Sequence, residues 1–257
     1  MQANYHTHTF RCYHATGTEE QYVRAALEAG LKVLGFSDHA PMPFAGGYES
    51  DFRMRVSYLP DYVETLLALR EKYRGQIEIL IGFEAEYYPA VFSDFLALLR
   101  PYPIDYLILG QHYLGNEYDS FAPGTATESE EVLRAYVDQV TEGMRSGAFT
   151  YVAHPDVVHF IGEDAVYRRE IERLCCAAKE LSMPLEVNLL GLREGRHYPT
   201  PLFWEIAAAC GNDVILGCDA HNSWRVALAS ELRDAEAFCA RHHLRVSERL
   251  PALRPLP

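Results

Sequence analysis

No run of about 18 apolar residues, the length needed to cross a bilayer as a helix, occurs in these 257 residues, so no transmembrane helix is expected. Cationic side chains are scarce. Lys and Arg number 23 against 36 Asp and Glu, for a net charge of −13. That balance excludes sequence-independent binding of long nucleic acids, which depends on many Lys and Arg contacts to phosphate. It is also the wrong balance for a small phosphate ester, unless bound cations reverse the charge locally. The first residues, MQANYHTHTF, lack a basic segment followed by an apolar one, so no secretion signal is read. None of the six cysteines forms a CxxC pair. Cys175, Cys176, Cys210 and Cys239 therefore read as reduced thiols of a cytoplasmic protein, with Cys12 and Cys218 set apart by lying beside candidate ligands. Repeats, low-complexity tracts, a phosphate-binding P-loop and a dinucleotide glycine fingerprint are all missing.

What is present is an alternation. Short β-rich runs at 4–7, 33–37, 77–83, 106–110, 150–153, 185–188 and 214–217 are separated by stretches of helical periodicity at 18–29, 59–73, 92–99, 129–146, 164–181, 201–210 and 225–242. Thr18 followed by Glu19 and Glu20 suits a helix start, and Pro60 suits a first turn. Seven strands with helical crossovers predict a parallel sheet, curled into an irregular α/β barrel over one domain, 1–257. A doubly wound open sheet is the alternative. In either layout function collects beyond the carboxyl ends of the strands.

Those ends are where the unusual residues lie. The runs finish in HTH (His6, His8), SDH (Asp38, His39), FEAE (Glu84, Glu86), GQH (His112), AHPD (His154, Asp156), EVN (Glu186, Asn188) and CDAH (Asp219, His221). Six of the eleven histidines are at or just past a strand end, and His14 follows one loop later. A single such histidine would read as a hydrogen-bonded structural residue. A rim of imidazoles and carboxylates is costly to crowd together unless cations hold it. Residues i and i+2 of a strand face the same side, so HxH and DxH can each grip one ion. Imidazole with carboxylate suits Zn, Mn or Fe. Seven histidines with Glu84 and Asp219 are too many for one tetrahedral ion and suit two or three divalent metal ions if a carboxylate bridges. Glu84 is the best placed to do so.

In order along the chain, HTHTF with a trailing His14, SDH, GFEAEY, GQHYL, AHPD, EVN and GCDAH resemble the motifs of the PHP (polymerase and histidinol phosphatase) family, from His6 to Asn222. GFEAEY, GQHYL and EVNLLGLREG look most like its monofunctional histidinol-phosphate phosphatases, although Leu189 and Leu190 stand where that pattern favours small hydroxyl residues. The resemblance implies a distorted seven-stranded parallel (β/α)7 barrel, TIM-barrel-like, with a trinuclear centre. One ion would take His6, His8, Glu84 and Asp219; a second His14, His39 and His221; a third Glu84, His112 and His154.

The chemistry expected is hydrolysis of a small-molecule phosphomonoester, L-histidinol phosphate of histidine biosynthesis, by a water that bridges two cations and loses its proton near neutral pH. A nucleotide phosphoesterase and a non-catalytic metal-binding protein are the competing readings. Glu84 and Asp219 would serve catalysis as metal ligands, while Asp38, Glu86 and Asp156, with metal-bound imidazoles at the rim, are candidates to protonate the leaving group; Asp38 and Asp156 could instead orient histidine ligands. Arg193 and Arg196 after strand six, or Arg53 and Arg55 after strand two, could fork onto phosphate, with Arg193 preferred. The aromatic loops 40–57 and 113–128 are expected to shape the pocket. Cys12 reads as a bystander.

Overall fold

Each of the seven apolar runs becomes a strand, and an eighth joins them. The computed structural model describes residues 1–118 and 121–257. Its strands are β1 Ala3–Asn4, β2 Val33–His39, β3 Glu78–Ala85, β4 Tyr106–Leu109, β5 Tyr151–Val152, β6 Leu185–Asn188, β7 Asp213–Gly217 and β8 Arg245–Ser247. They form one curled sheet in sequence order, every neighbouring pair parallel. The expected count of seven is therefore corrected to eight. The extra strand, Arg-Val-Ser, is three residues long and largely exposed, too short to carry an apolar alternation to read.

The helices are α1 Glu19–Glu28, α2 Leu59–Lys72, α3 Phe92–Leu99, α4 Glu130–Arg145, α5 Asp164–Glu180, α6 Leu189–Glu194, α7 Pro201–Ala209 and α8 Ala229–Arg241. Thr18 accepts from the Gln21 amide while Gln21 reaches back to the Thr18 N–H, a reciprocal cap for α1. Ser129 caps α4 through the Val132 amide. None of the helices formed by described residues is long and apolar enough to cross a membrane.

The two faces of the sheet carry different cores. Leu34 and Phe36, Ile79, Ile81 and Phe83, and Leu107 and Leu109 pack outward against the helices. Val33, Leu80, Tyr106, Ile108, Tyr151 and Ile215 pack together inside the curl, where the Tyr106 hydroxyl donates to the Tyr5 carbonyl at 2.7 Å. This strict alternation sets the site. Continued upward, the inward parity reaches His39, Glu84, Gly110, Glu186, Gly217 and Asp219, whereas Asp38 shares the outward parity of Leu34 and Phe36.

The chain ends of the sheet meet at the mouth. Thr7 pairs in parallel with Ala220, and Thr16 with Asn222. The His8 amide donates to the Ala220 carbonyl at 3.1 Å and the Thr16 amide to that of His221 at 2.8 Å. The Asn4 side chain fills the seam, donating to Thr7 Oγ1 at 2.6 Å and accepting from the Cys218 amide at 3.0 Å. At the opposite end β8 runs beside β7, and the chain beyond it covers the base: the Leu250 amide donates to the Tyr5 hydroxyl at 3.2 Å, and Leu250 and Leu253 pack against the inner core.

Candidate metal centre

The nine side chains picked out as ligands converge. Glu84 is the hub. Its Oε1 lies 2.8 Å from His154 Nε2 and 3.5 Å from His112 Nε2; its Oε2 lies 3.0 Å from His39 Nδ1, 3.5 Å from His6 Nε2 and 3.6 Å from His8 Nε2. Asp219 Oδ1 sits 3.1 Å from His8 Nε2 and 3.7 Å from His6 Nε2. His14, His39 and His221 form a separate triplet whose ligand atoms all lie within 4.8 Å of one another, as do those of His6, His8 and Asp219, and of His6, Glu84 and His154.

Two glycines make room for this. A Cβ on Gly110 would come within 2.1 Å of Glu84 Oε1, and one on Gly217 within 2.1 Å of Glu186 Oε2. Two ligands are held by left-handed backbone, His154 at φ 28° and Asp219 at φ 46°. Positive φ is uncommon outside glycine, though Asp and His tolerate it better than most, and such backbone collects where a site dictates the conformation.

The donor chemistry fits cations. His6 Nε2, both nitrogens of His8, His39 Nδ1, Glu84 Oε2, His154 Nδ1, Asp219 Oδ1 and His221 Nε2 are buried without a hydrogen-bond partner. Unsatisfied buried polar atoms are rare, and eight in one cluster of imidazoles and carboxylates fit bound cations. Charge agrees. Burial alone would raise Glu84 and Asp219, but the surrounding imidazoles hold both carboxylates well below their usual range. Burial and the neighbouring His8 lower His39 and His14, and bring His221 down to about 3, leaving those three neutral with lone pairs to give. Burial also works against charge on His6, yet Glu186, Asp219 and Glu84 outweigh it and raise the imidazole to about 10, a site that attracts positive charge.

Around the ligands lies a set of side chains that aim them. Both oxygens of Glu186 approach His6 Nδ1, at 3.0 and 2.9 Å. Glu86 Oε1 is 2.9 Å from His112 Nδ1. Asn188 Nδ2 donates to Glu186 Oε1 at 2.9 Å and to Asp219 Oδ2 at 3.1 Å, while its Oδ1 accepts from the Gly191 amide and so starts α6. Glu186 and Asn188 were visible only as polar residues at a strand end; their inward parity was the signal that could have marked them.

The carboxylates expected to act on a leaving group are placed differently. Asp38 accepts from the Thr9 hydroxyl and from the His39 amide at 2.9 Å, and lies 3.5 Å from His8 Nδ1. Asp156 accepts from the Thr200 amide at 2.6 Å and Trp204 Nε1 at 3.1 Å, which fastens α7. Glu86 is gripped by Arg53. All three are buried, and none lines the cavity above the ligands.

Arg53 is a correction. Its Nε donates to Glu117 at 2.6 Å, Nη1 to Glu86 at 2.9 Å and the Ala40 carbonyl at 3.2 Å, and Nη2 to Glu86 at 3.0 Å and to Glu117. All five donors are spent on buried partners, so none is left for a phosphate. Arg55 pairs with exposed Glu49. Arg193 and Arg196 line the cavity, which has a volume of about 560 Å³ and a floor that includes His14, His39, His112, His154, Asp219 and His221. Arg193 rises from α6, a helix where a loop was expected; buried Leu189 and Leu190 anchor its first turn. Phe52 of the 40–57 loop stacks on His14, centroids 5.5 Å apart, and lines the cavity, as does Gly124 of the 113–128 loop. Residues 119–120 of that loop lie outside the described residues. Cys12 is buried, its thiol 3.1 Å from the Thr9 carbonyl.

Known proteins share this arrangement of chain. The PHP domain model matches residues 4–189. A probable histidinol-phosphatase of Deinococcus radiodurans is 34% identical over 245 residues, covering 89% of this chain and 92% of that one. A histidinol-phosphatase of Bacillus subtilis is 28% identical over 258 residues, covering 88% and 96%. The crystal structure of a histidinol phosphate phosphatase from Lactococcus lactis, complexed with zinc, L-histidinol and phosphate, superposes with a TM-score of 0.74 over 95% of each chain at 19% identity, a likeness of fold. The chain belongs to the PHP domain family.

Proposed function

We propose that this protein is a metal-dependent histidinol-phosphatase, hydrolysing L-histidinol phosphate to L-histidinol and phosphate within one domain, residues 1–257. The observation that carries the reading is the cluster of unpartnered ligand atoms on the floor of a cavity whose wall presents Arg193. Relatives at 34% and 28% identity bear the name of that activity. Three divalent ions suit the donor set: one held by His6, His8, Glu84 and Asp219, one by His14, His39 and His221, one by Glu84, His112 and His154. Zinc is the metal in the Lactococcus lactis structure, and Mn or Fe suits the same donors. Such ions supply a water acidic enough to ionise near neutral pH and positive charge for the phosphoryl oxygens, which offsets the acidity of the chain.

The residues of the chain do the positioning. Glu84 ties the histidine groups into one frame, and Glu186, Glu86 and Asp38 hold His6, His112 and His8 in place. Among the described residues Arg193 has one close partner, Glu231 at 3.1 Å, and it has donors left for a phosphate oxygen. Asp38 and Asp156 act through other residues, not on the ester. A cytoplasmic location goes with this reading, since its substrate is a small biosynthetic intermediate. Steady-state rates on L-histidinol phosphate, nucleoside monophosphates and p-nitrophenyl phosphate, with elemental analysis of protein purified without added metal, test the reading. The expected result is bound divalent metal and a clear preference for histidinol phosphate. Equal rates on the generic ester would reject the substrate, and a metal-free active enzyme would reject the centre.

A further inference from the structure

We propose that Glu194 is the specificity-determining carboxylate that receives the ammonium group of the substrate. The inference rests on the histidinol-phosphatase reading and deepens it. Three carboxylates of the described residues line the cavity: Glu84, Asp219 and Glu194. The first two belong to the ligand cluster. Glu194, the last residue of α6, stands on the wall beside Arg193 and Arg196.

A carboxylate is a poor neighbour for a phosphate. It weakens the pull of both arginines and repels the ester oxygens. Arg193 does not need it for balance, because Glu231 already pairs with that guanidinium at 3.1 Å. Arg196 occupies only one of its oxygens: Oε2 takes the contacts from Nε at 2.9 Å and Nη2 at 2.7 Å. Among the described residues Oε1 has a single distant approach, 3.6 Å from Arg193 Nη2. On a side chain 44% exposed that oxygen is open to solvent, and it would gain a partner in a substrate that carries a cation as well as an anion. Histidinol phosphate does, with an ammonium on the carbon next to its phosphorylated CH2. Nucleotides and simple phosphate esters do not.

The test compares L-histidinol phosphate with its deamino analogue, 3-(imidazol-4-yl)propyl phosphate, and with p-nitrophenyl phosphate, in the metal-loaded wild type and in Glu194→Gln. The variant is near-isosteric at a side chain 44% exposed, so it should fold, and its metal content is measured alongside. Wild type should favour histidinol phosphate over the deamino ester. In Glu194→Gln that ratio of kcat/KM should fall roughly 10- to 100-fold, mostly through KM, as expected for loss of a charged hydrogen bond. An equal loss on both imidazole esters would make Glu194 a mere partner of Arg196 and overturn the inference. So would no loss on either, or a wild type indifferent to the amino group. The histidinol-phosphatase reading survives those outcomes so long as wild type prefers histidinol phosphate to p-nitrophenyl phosphate. If that preference is absent too, both fall.

Discussion

Glu186 holds His6 by one nitrogen with both carboxylate oxygens, across 180 residues of sequence. The contact leaves His6 Nε2 facing Glu84 and Asp219. Replacing Glu186 by Gln keeps the shape and removes the charge that fixes the ring. Metal affinity is expected to fall about 10- to 100-fold, the usual effect of losing such a support, with folding intact. Titration of the apo-protein with zinc or manganese measures it. Unchanged affinity would mean that the imidazole is held by packing alone.

Glu84 touches five imidazoles, so its loss should dissolve the centre and not merely trim it. Glu84→Ala is expected to bind less metal and to lose more than about 100-fold in turnover, since electrostatic support of the transition state goes with the ions. Circular dichroism should stay native. Full metal content at a normal rate would contradict the hub.

Arg53 predicts a stability effect in place of a binding effect. It is buried between Glu86 and Glu117. Arg53→Met strands two buried carboxylates and should cost about 3–5 kcal/mol of folding stability, read as a shift in urea midpoint. A variant as stable as wild type but with a sharply raised KM would restore Arg53 to the phosphate site.

Away from the cavity, Cys210 meets Cys175 and Cys176 between α5 and α7. The neighbouring Cys175, with help from Cys176 and against the effect of burial, holds the Cys210 thiol below the ordinary range; burial and Cys210 push Cys176 up. Thiolate is the reactive form. Iodoacetamide near pH 7 should therefore label half-buried Cys210 before exposed Cys176, as peptide mass spectrometry would show. Faster labelling of Cys176 would mean that exposure, not ionisation, decides.

Much of the site could be read from the chain because strands impose a period of two and place their ends on one rim. Imidazoles at His6, His8, His39, His112, His154 and His221, with Glu84 and Asp219, needed only that rule and the ordering of strands to be brought within reach of each other. The start of α1 followed from local capping by Thr18, and the extent of α4 from its helical periodicity. Arg53 looked like a phosphate ligand because a sequence shows a guanidinium but not its partners, here Glu117, 64 residues away, and Glu86, 33 residues away.

By itself, then, the sequence determined which strand ends carry the imidazoles and carboxylates and that the sheet is parallel, since both depend on short-range periodicity and capping. Tertiary structure alone decided which carboxylates enter the histidine cluster and which brace it from behind, as with Glu84 against Glu186, and where β8 forms. Those outcomes depend on contacts between segments far apart in the chain, and no local pattern encodes which buried charge will find which partner.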